Sequence, residues 1–198
     1  MDDKKLLMIF VKNPEKGKVK TRLAASVGND KAYNIYIKLL EYTIETAGRV
    51  RADKQIWYSS FIDENDGFGG EGFEKKLQFG NDLGQRMSNA FRHGFDEGYS
   101  KIVIIGSDCP ALTNEIAEKA FRELESYDAV IGPSEDGGYY LLGMNRYYPG
   151  LFRQIEWSTE VVMKETVSKF EENNLSFTKL EKLNDIDTLR DLEKSDFI

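Results

Sequence analysis

Apolar and polar positions along the chain follow two alternating periods. Leu6–Val11 (LLMIFV) is an unbroken apolar run of strand length. From Lys31 to Ala47, the positions Ala32, Tyr36, Leu39, Leu40, Thr43 and Ala47 recur at helical spacing and predict a helix with one buried face. Gln55–Ser60 reads as a second strand, and Phe61–Gly72, rich in glycine and acids, as a mobile loop. A short strand is expected at Leu77–Phe79. A helix is expected over Asp82–Tyr99, striped by Leu83, Met87, Ala90, Phe91 and Phe95. Lys101–Gly106 (KIVIIG) is the cleanest central strand. Thr113 or Asn114 then caps a helix carrying Ile116, Ala117, Ala120, Phe121 and Leu124. Asp128–Gly132 is a strand, and Gly137-Gly138 turns the chain into another at Tyr139–Met144. A helix over Ser158–Glu172, a strand over Ser176–Leu180 and a short helix over Thr188–Lys194 close the pattern.

Strands that alternate with helices predict an α/β fold, a three-layer α/β/α sandwich around a mixed, mostly parallel sheet. The Gly137-Gly138 turn between consecutive strands predicts one antiparallel member. No repeat, linker or composition shift divides residues 1–198, so a single domain is expected. No apolar window has the length of a membrane span, and the opening MDDKKLLMIFVKN lacks the features of a secretory leader. The one cysteine, Cys109, excludes an internal disulfide and fits a cytoplasmic setting. A formal charge of -7 argues against nucleic acid as a partner.

Against that acidic balance, Lys12, Lys16, Lys18, Lys20 and Arg22 crowd the stretch after the first strand, opposed only by Glu15. In open α/β sheets ligands bind beyond the carboxyl ends of the strands. The segments after the other strands are acidic: Asp108 comes after KIVIIG, Glu135 and Asp136 after the Asp128–Gly132 strand, Asp185 and Asp187 after the last. Cations plus carboxylates on one edge suit a polyphosphate with a divalent metal, because lysine and arginine bind phosphate oxygens and carboxylates hold Mg²⁺ or Mn²⁺. Each residue also has a structural explanation. A basic run can be solvated surface, Asp108 can cap a helix, and Asp136, Gly137 and Gly138 can simply make a turn. Asp187 precedes T-L-R-D, a capping box. Trp157 and Tyr140 can be core.

Two familiar sites are absent. Gly17-Lys18 is followed by Val19, so the first loop is not a P-loop, and no G-x-G-x-x-G comes after the first strand. The only histidine, His93, falls among polar neighbours and is expected to be exposed, without a catalytic role. Phosphoryl chemistry does not require one, since it rests on positioning and electrostatics.

At K-x-P-x-x-G-x-V-K-T-R-L (12–23), G-x-D-L-G-x-R-M (80–87), I-G-S-D-C-P-x-L (105–112), G-P-x-x-D-G-G-Y-Y-L-x-G (132–143), W-S-T-x-V (157–161) and D-I-D-T (185–188), the sequence resembles the nucleotide-diphospho-sugar transferase superfamily, the GT-A-like fold. Within it, it resembles a bacterial and archaeal transferase family related to the guanylyltransferases that activate phospholactate. The resemblance implies that Asp108 binds metal with Asp185 or Asp187. It implies that Lys12, Lys20 and Arg22 meet the nucleotide phosphates, Lys20 and Arg22 with a catalytic part, and adds Asp82 and Arg86 to the nucleotide site. Asp136, Gly137, Gly138, Tyr139 and Trp157 are the expected substrate residues, with Glu71, Gly72 and Tyr140 as further candidates for the acceptor wall. The sequence departs from the sugar nucleotidyltransferase loop and has no D-x-D after the central strand, where Ser107-Asp108-Cys109 offers only one acid. The leading expectation is nucleotidyl transfer from a nucleoside triphosphate to a small phosphorylated acceptor. Glycosyl transfer from a nucleotide sugar, with Asp136 or Glu135 as base, is the alternative; a non-catalytic nucleotide-binding module is a third.

Overall fold

The computed structural model describes residues 3–68, 70 and 72–197. Among these residues seven strands form one sheet: β1 (Lys5–Val11), β2 (Asp53–Tyr58), β3 (Phe73–Leu77), β4 (Lys101–Ile105), β5 (Ala129–Pro133), β6 (Tyr139–Met144) and β7 (Phe177–Lys179). Their order is β3-β2-β1-β4-β6-β5-β7. β6 runs antiparallel to both neighbours, β4 and β5, and the other pairings are parallel. The antiparallel member predicted from the glycine turn is therefore β6. β1 and β4, the longest apolar runs, lie side by side at the centre, where a strand is buried on both faces.

Among the described residues six α-helices flank the sheet: α1 (Thr21–Val27), α2 (Asn29–Gly48), α3 (Leu83–Asp96), α4 (Asn114–Glu123), α5 (Val162–Glu172) and α6 (Leu189–Lys194). Alternate residues of β1 serve two cores. Leu7, Ile9 and Val11 join Tyr36 and Leu40 of α2 and Phe121 of α4; Leu6 and Met8 join Met87 and Phe91 of α3 and Phe170 of α5. This is the expected sandwich. Among the described residues no helix is long and apolar enough to cross a membrane.

Several local expectations change. The basic stretch is not loop throughout, because α1 begins at Thr21 and carries Arg22. The third strand lies at Phe73–Leu77 rather than Leu77–Phe79; it is an end strand and too polar to announce itself. The helix expected from Ser158 starts at Val162, since Ser158 takes a left-handed backbone (φ 65°) that no α-helix accepts. His93 is not fully exposed; its ring meets Trp57 edge-on at 5.8 Å and its Nε2 lies 3.1 Å from Glu97. The loop between β2 and β3 is tied down at Asp66, which accepts from Tyr58 Oη (2.5 Å) and Lys75 Nζ (2.8 Å). Glu71, a candidate for the acceptor wall, lies outside the described residues.

Candidate active site

The carboxyl ends of β1, β4 and β5 gather most of the chemistry. Beyond β1, Tyr36 of α2 clamps Lys12: its hydroxyl accepts from the Lys12 N–H (3.0 Å) and donates to the Lys12 carbonyl (2.8 Å). Lys16 and Lys18 pair locally with Asp30 and Glu15 and stay exposed. Lys20 behaves differently. It stands at the start of α1 in the left-handed region (φ 47°, ψ 45°), a conformation that costs a non-glycine residue about 1 kcal/mol. Its side chain is only 6% exposed and its ammonium lies 3.0 Å from Asp108 Oδ2. In the first turn of α1, Arg22 donates from Nη1 to Asp187 Oδ2 at 2.8 Å.

The acids are brought to these cations by the strands that precede them. Asp108 comes after β4, and its carbonyl accepts from the Ile186 N–H at 2.9 Å, which fixes the D-I-D-T segment beside it. The helix after Asp108 is capped by Thr113, so Asp108 is not needed as a cap. Burial pushes the Asp108 carboxyl up, but the Lys20 ammonium, its hydrogen bond and the charge on Lys12 outweigh burial and hold it below the ordinary carboxylate range. Asp185 goes the other way. Burial, then the negative charges of Asp108 and Asp136, push it up to about 8. Its Oδ1 is buried without a hydrogen-bond partner among the described residues. Asp187 combines its ion pair with a place just ahead of the capping box, in which Thr188 and Asp191 bond reciprocally. Cys109 is buried, and burial raises its thiol further out of reach of ionisation.

The β5–β6 turn is built around Asp136, whose Oδ1 accepts from Ser134 Oγ (2.5 Å) and the Gly138 N–H (2.9 Å). Glu135 pairs with Lys194 at 3.4 Å. Gly137 sits at φ 90° against the backbone of Glu160, where a Cβ would come within 2.1 Å of the Glu160 carbonyl oxygen. The segment 157–160 thus spans from this turn to the start of α3. There Trp157 lies so close on Gly84 that a Cβ would stand 2.3 Å from the indole, and its ring stacks on Phe152. Tyr139 Oη reaches Met87 Sδ of α3 at 3.9 Å. Tyr140 is core; its hydroxyl donates to the Glu181 carbonyl.

Asp82 and Arg86 stand at the same end of α3, on its β3 side. Asp82 caps the helix, accepting from the Gln85 N–H at 2.8 Å. Arg86 donates to the carbonyls of Gly80 (3.3 Å) and Ser59 (3.5 Å) and has no carboxylate partner among the described residues. Two buried amides, unsuspected from the sequence, brace this side of the edge. Asn13 donates to the Phe61 carbonyl (2.8 Å) and accepts from the Ser60 N–H (2.9 Å). Gln78 donates to the carbonyls of Val11 (3.2 Å) and Trp57 (2.7 Å). No sequence signal marked either one, since Asn13 follows Lys12 and Gln78 follows the polar strand β3. Among the described residues no three histidine, cysteine or carboxylate side chains converge as a metal cage.

The fold is that of the nucleotide-diphospho-sugar transferases, and the chain is a transferase of that class. The chain belongs to DUF2064, a family described as uncharacterised proteins conserved in bacteria, whose model matches residues 43–159. A crystal structure from Desulfovibrio desulfuricans G20, provisionally described as a nucleotide-diphospho-sugar transferase, is 39% identical with a TM-score of 0.90, covering 95% of this chain and 84% of that one. Two others show the fold alone. CMP:2-keto-3-deoxy-manno-octonic acid synthetase, complexed with CTP, has 10% identity and a TM-score of 0.57 over 96% of each chain. Rv0371c of Mycobacterium tuberculosis H37Rv, complexed with manganese, has 11% identity and a TM-score of 0.57 over 96% of each. No curated protein matches the chain in sequence.

Proposed function

We propose that this protein is a metal-dependent nucleotidyltransferase that joins a nucleoside triphosphate to a small phosphorylated acceptor. The carrying observation is the cross-pairing of Lys20 with Asp108 and Arg22 with Asp187 over one sheet edge. Cations alone would suit any anion. Cations set against carboxylates suit an anion that arrives with its own divalent metal. The donor set fits Mg²⁺ or Mn²⁺: Asp108 and Asp185 offer hard oxygens, and one oxygen of Asp185 is buried without a partner among the described residues. Magnesium characteristically takes one or two carboxylates and completes its shell with phosphate oxygens and water, so a three-ligand cage is not required. Asp108 and Asp185 would hold the ion, with Asp187 released from Arg22 as a third donor. When bound, the ion neutralises charge that develops on the phosphates. The CTP and manganese carried by proteins of this fold support both halves of the reading.

The chain's own residues have these tasks. Lys12, Lys20 and Arg22 bind phosphate oxygens and steady the leaving pyrophosphate, with Arg86 and the α3 start on the nucleoside side. The Asp136–Tyr139 turn and Trp157 line the acceptor side. An acceptor phosphate oxygen attacks the α-phosphorus, and the bond to the pyrophosphate oxygen breaks. An anionic oxygen needs no proton removed, which agrees with His93 lying near the far end of α3. Glycosyl transfer is the second reading, favoured by the description of the 39%-identical relative. Its candidate bases are already engaged, Asp136 by Ser134 and Gly138 and Glu135 by Lys194. Thermal-shift titration of nucleoside triphosphates and nucleotide sugars, each with and without Mn²⁺, separates the two. Stabilisation by nucleotide sugars alone would overturn nucleotidyl transfer. Turnover of either kind would reject a purely binding role.

A further inference from the structure

The exposed large apolar side chains among the described residues are Phe61, Ile62, Leu77, Phe79 and Leu83, 38–54% accessible. All five lie on one side of the molecule, at the carboxyl ends of β2 and β3 and the start of α3. β3 is an end strand of the sheet, and among the described strands only β2 pairs with it. Soluble proteins commonly guard such an edge with outward lysines, because an open edge recruits another strand. β3 carries two lysines, and both are turned back into their own chain. Lys75 is held by Asp66 Oδ1 at 2.8 Å and by the Asp63 carbonyl at 2.6 Å, and only 13% of its side chain is accessible. Lys76 pairs with Glu74 at 2.5 Å and with Glu97 at 3.6 Å. Among the described residues the edge is therefore unpaired, with Leu77 and Phe79 exposed at its carboxyl end and both lysines committed to partners in their own chain.

We propose that a second copy of this chain occupies that edge: two β3 strands pair antiparallel about a twofold axis and join two seven-stranded sheets into one. The sequence of the strand is self-complementary in the register this requires. Antiparallel pairing keeps facing residues on the same side of the sheet, and the register that uses all five residues is centred on Lys75. It sets Phe73 opposite the partner's Leu77 and Glu74 opposite the partner's Lys76. An apolar pair and an opposite-charge pair are both favourable cross-strand combinations, and the twofold axis makes each of them twice. The one like-charge meeting, Lys75 with its equivalent, is defused because each ammonium is bound to its own Asp66. Phe79, two residues past the end of the strand, borders the joint.

Sedimentation velocity on the full chain, from low to high micromolar concentration, tests this. A monomer–dimer equilibrium is expected. Leu77→Lys restores an outward lysine to the edge, and Glu74→Lys sets like charges opposite each other. Each should weaken the dimer by about tenfold, whereas Thr178→Lys on the opposite edge strand β7 should leave it unchanged. Hydrogen exchange of the wild-type chain needs no variant: amides of residues 73–77 should slow as protein concentration rises. A wild-type chain that stays monomeric overturns the proposal. So does a dimer that neither β3 variant weakens while both melt like wild type, or one whose β3 amides exchange at a concentration-independent rate.

Discussion

Replacing Asp185 by asparagine should remove a pH dependence of stability that the wild-type chain carries between about pH 5 and pH 8 when no metal is present. In the unfolded chain this carboxyl titrates near 3.8; in the folded chain, burial and the charges of Asp108 and Asp136 push it up to about 8. A group raised by folding contributes its full stability below its unfolded value and loses it as pH rises through its folded one. Each pH unit in that window costs at most about 1.4 kcal/mol for one proton, so the fall from about pH 5 to pH 8 has a ceiling of about 4 kcal/mol. Carboxylates held low by their partners, Asp108 and Asp128 among them, lose their contributions only on acidification below the ordinary range, so they do not mask the effect. Urea unfolding with chelator present, at intervals across this range, is the assay. Wild type should weaken steadily with pH. Asp185→Asn should be nearly flat and more stable than wild type at the upper end. A flat wild-type profile, or an asparagine variant that is less stable at pH 8, would refute the electrostatic picture of the site.

The same geometry carries other expectations. Apparent Mn²⁺ affinity should rise with pH up to about 8, because the ion must displace the Asp185 proton; calorimetry in two buffers of different ionisation enthalpy would register the proton release. Lys20→Ala with Arg22→Ala should weaken triphosphate binding by about a hundredfold or more, since each charge-assisted contact is worth roughly 1.5–3 kcal/mol; an unchanged dissociation constant would count against the basic segment. Gly137→Ala should cost about 2–4 kcal/mol in urea unfolding, because the methyl group collides with the Glu160 backbone at a φ that disfavours any side chain. Gly84→Ala should push Trp157 off α3 and shift tryptophan emission to the red, with buried Trp57 as an internal reference.

Those parts of the fold were legible in the sequence where burial is two-sided or periodicity is long. LLMIFV and KIVIIG became the paired central strands, and the striped segments became α2, α3 and α4. Elements set by local charge or by a single backbone conformation were not. α1 is short and hidden among cations, FEKKL has no apolar run because it lies at the sheet's end, and the left-handed Ser158 delays α5. The position of the candidate site came from the residues that succeed each strand. Its pairings did not, because which lysine faces which aspartate is a matter of three-dimensional reach: Lys20 is 88 residues from Asp108 and Arg22 is 165 from Asp187. Asn13 and Gln78 went unread for the same reason, since a buried amide looks like any other polar residue until the carbonyls it serves are in place.

The most direct test of the central claim is a titration of nucleoside triphosphates into the wild-type chain and Asp108→Asn, each with and without Mn²⁺. A site made of paired cations and carboxylates predicts that the wild-type chain binds the triphosphate far more tightly with the ion than without it. It also predicts that Asp108→Asn loses this gain. Binding that is equally tight with and without Mn²⁺, or an Asp108→Asn chain that keeps the full metal-dependent gain, would contradict it.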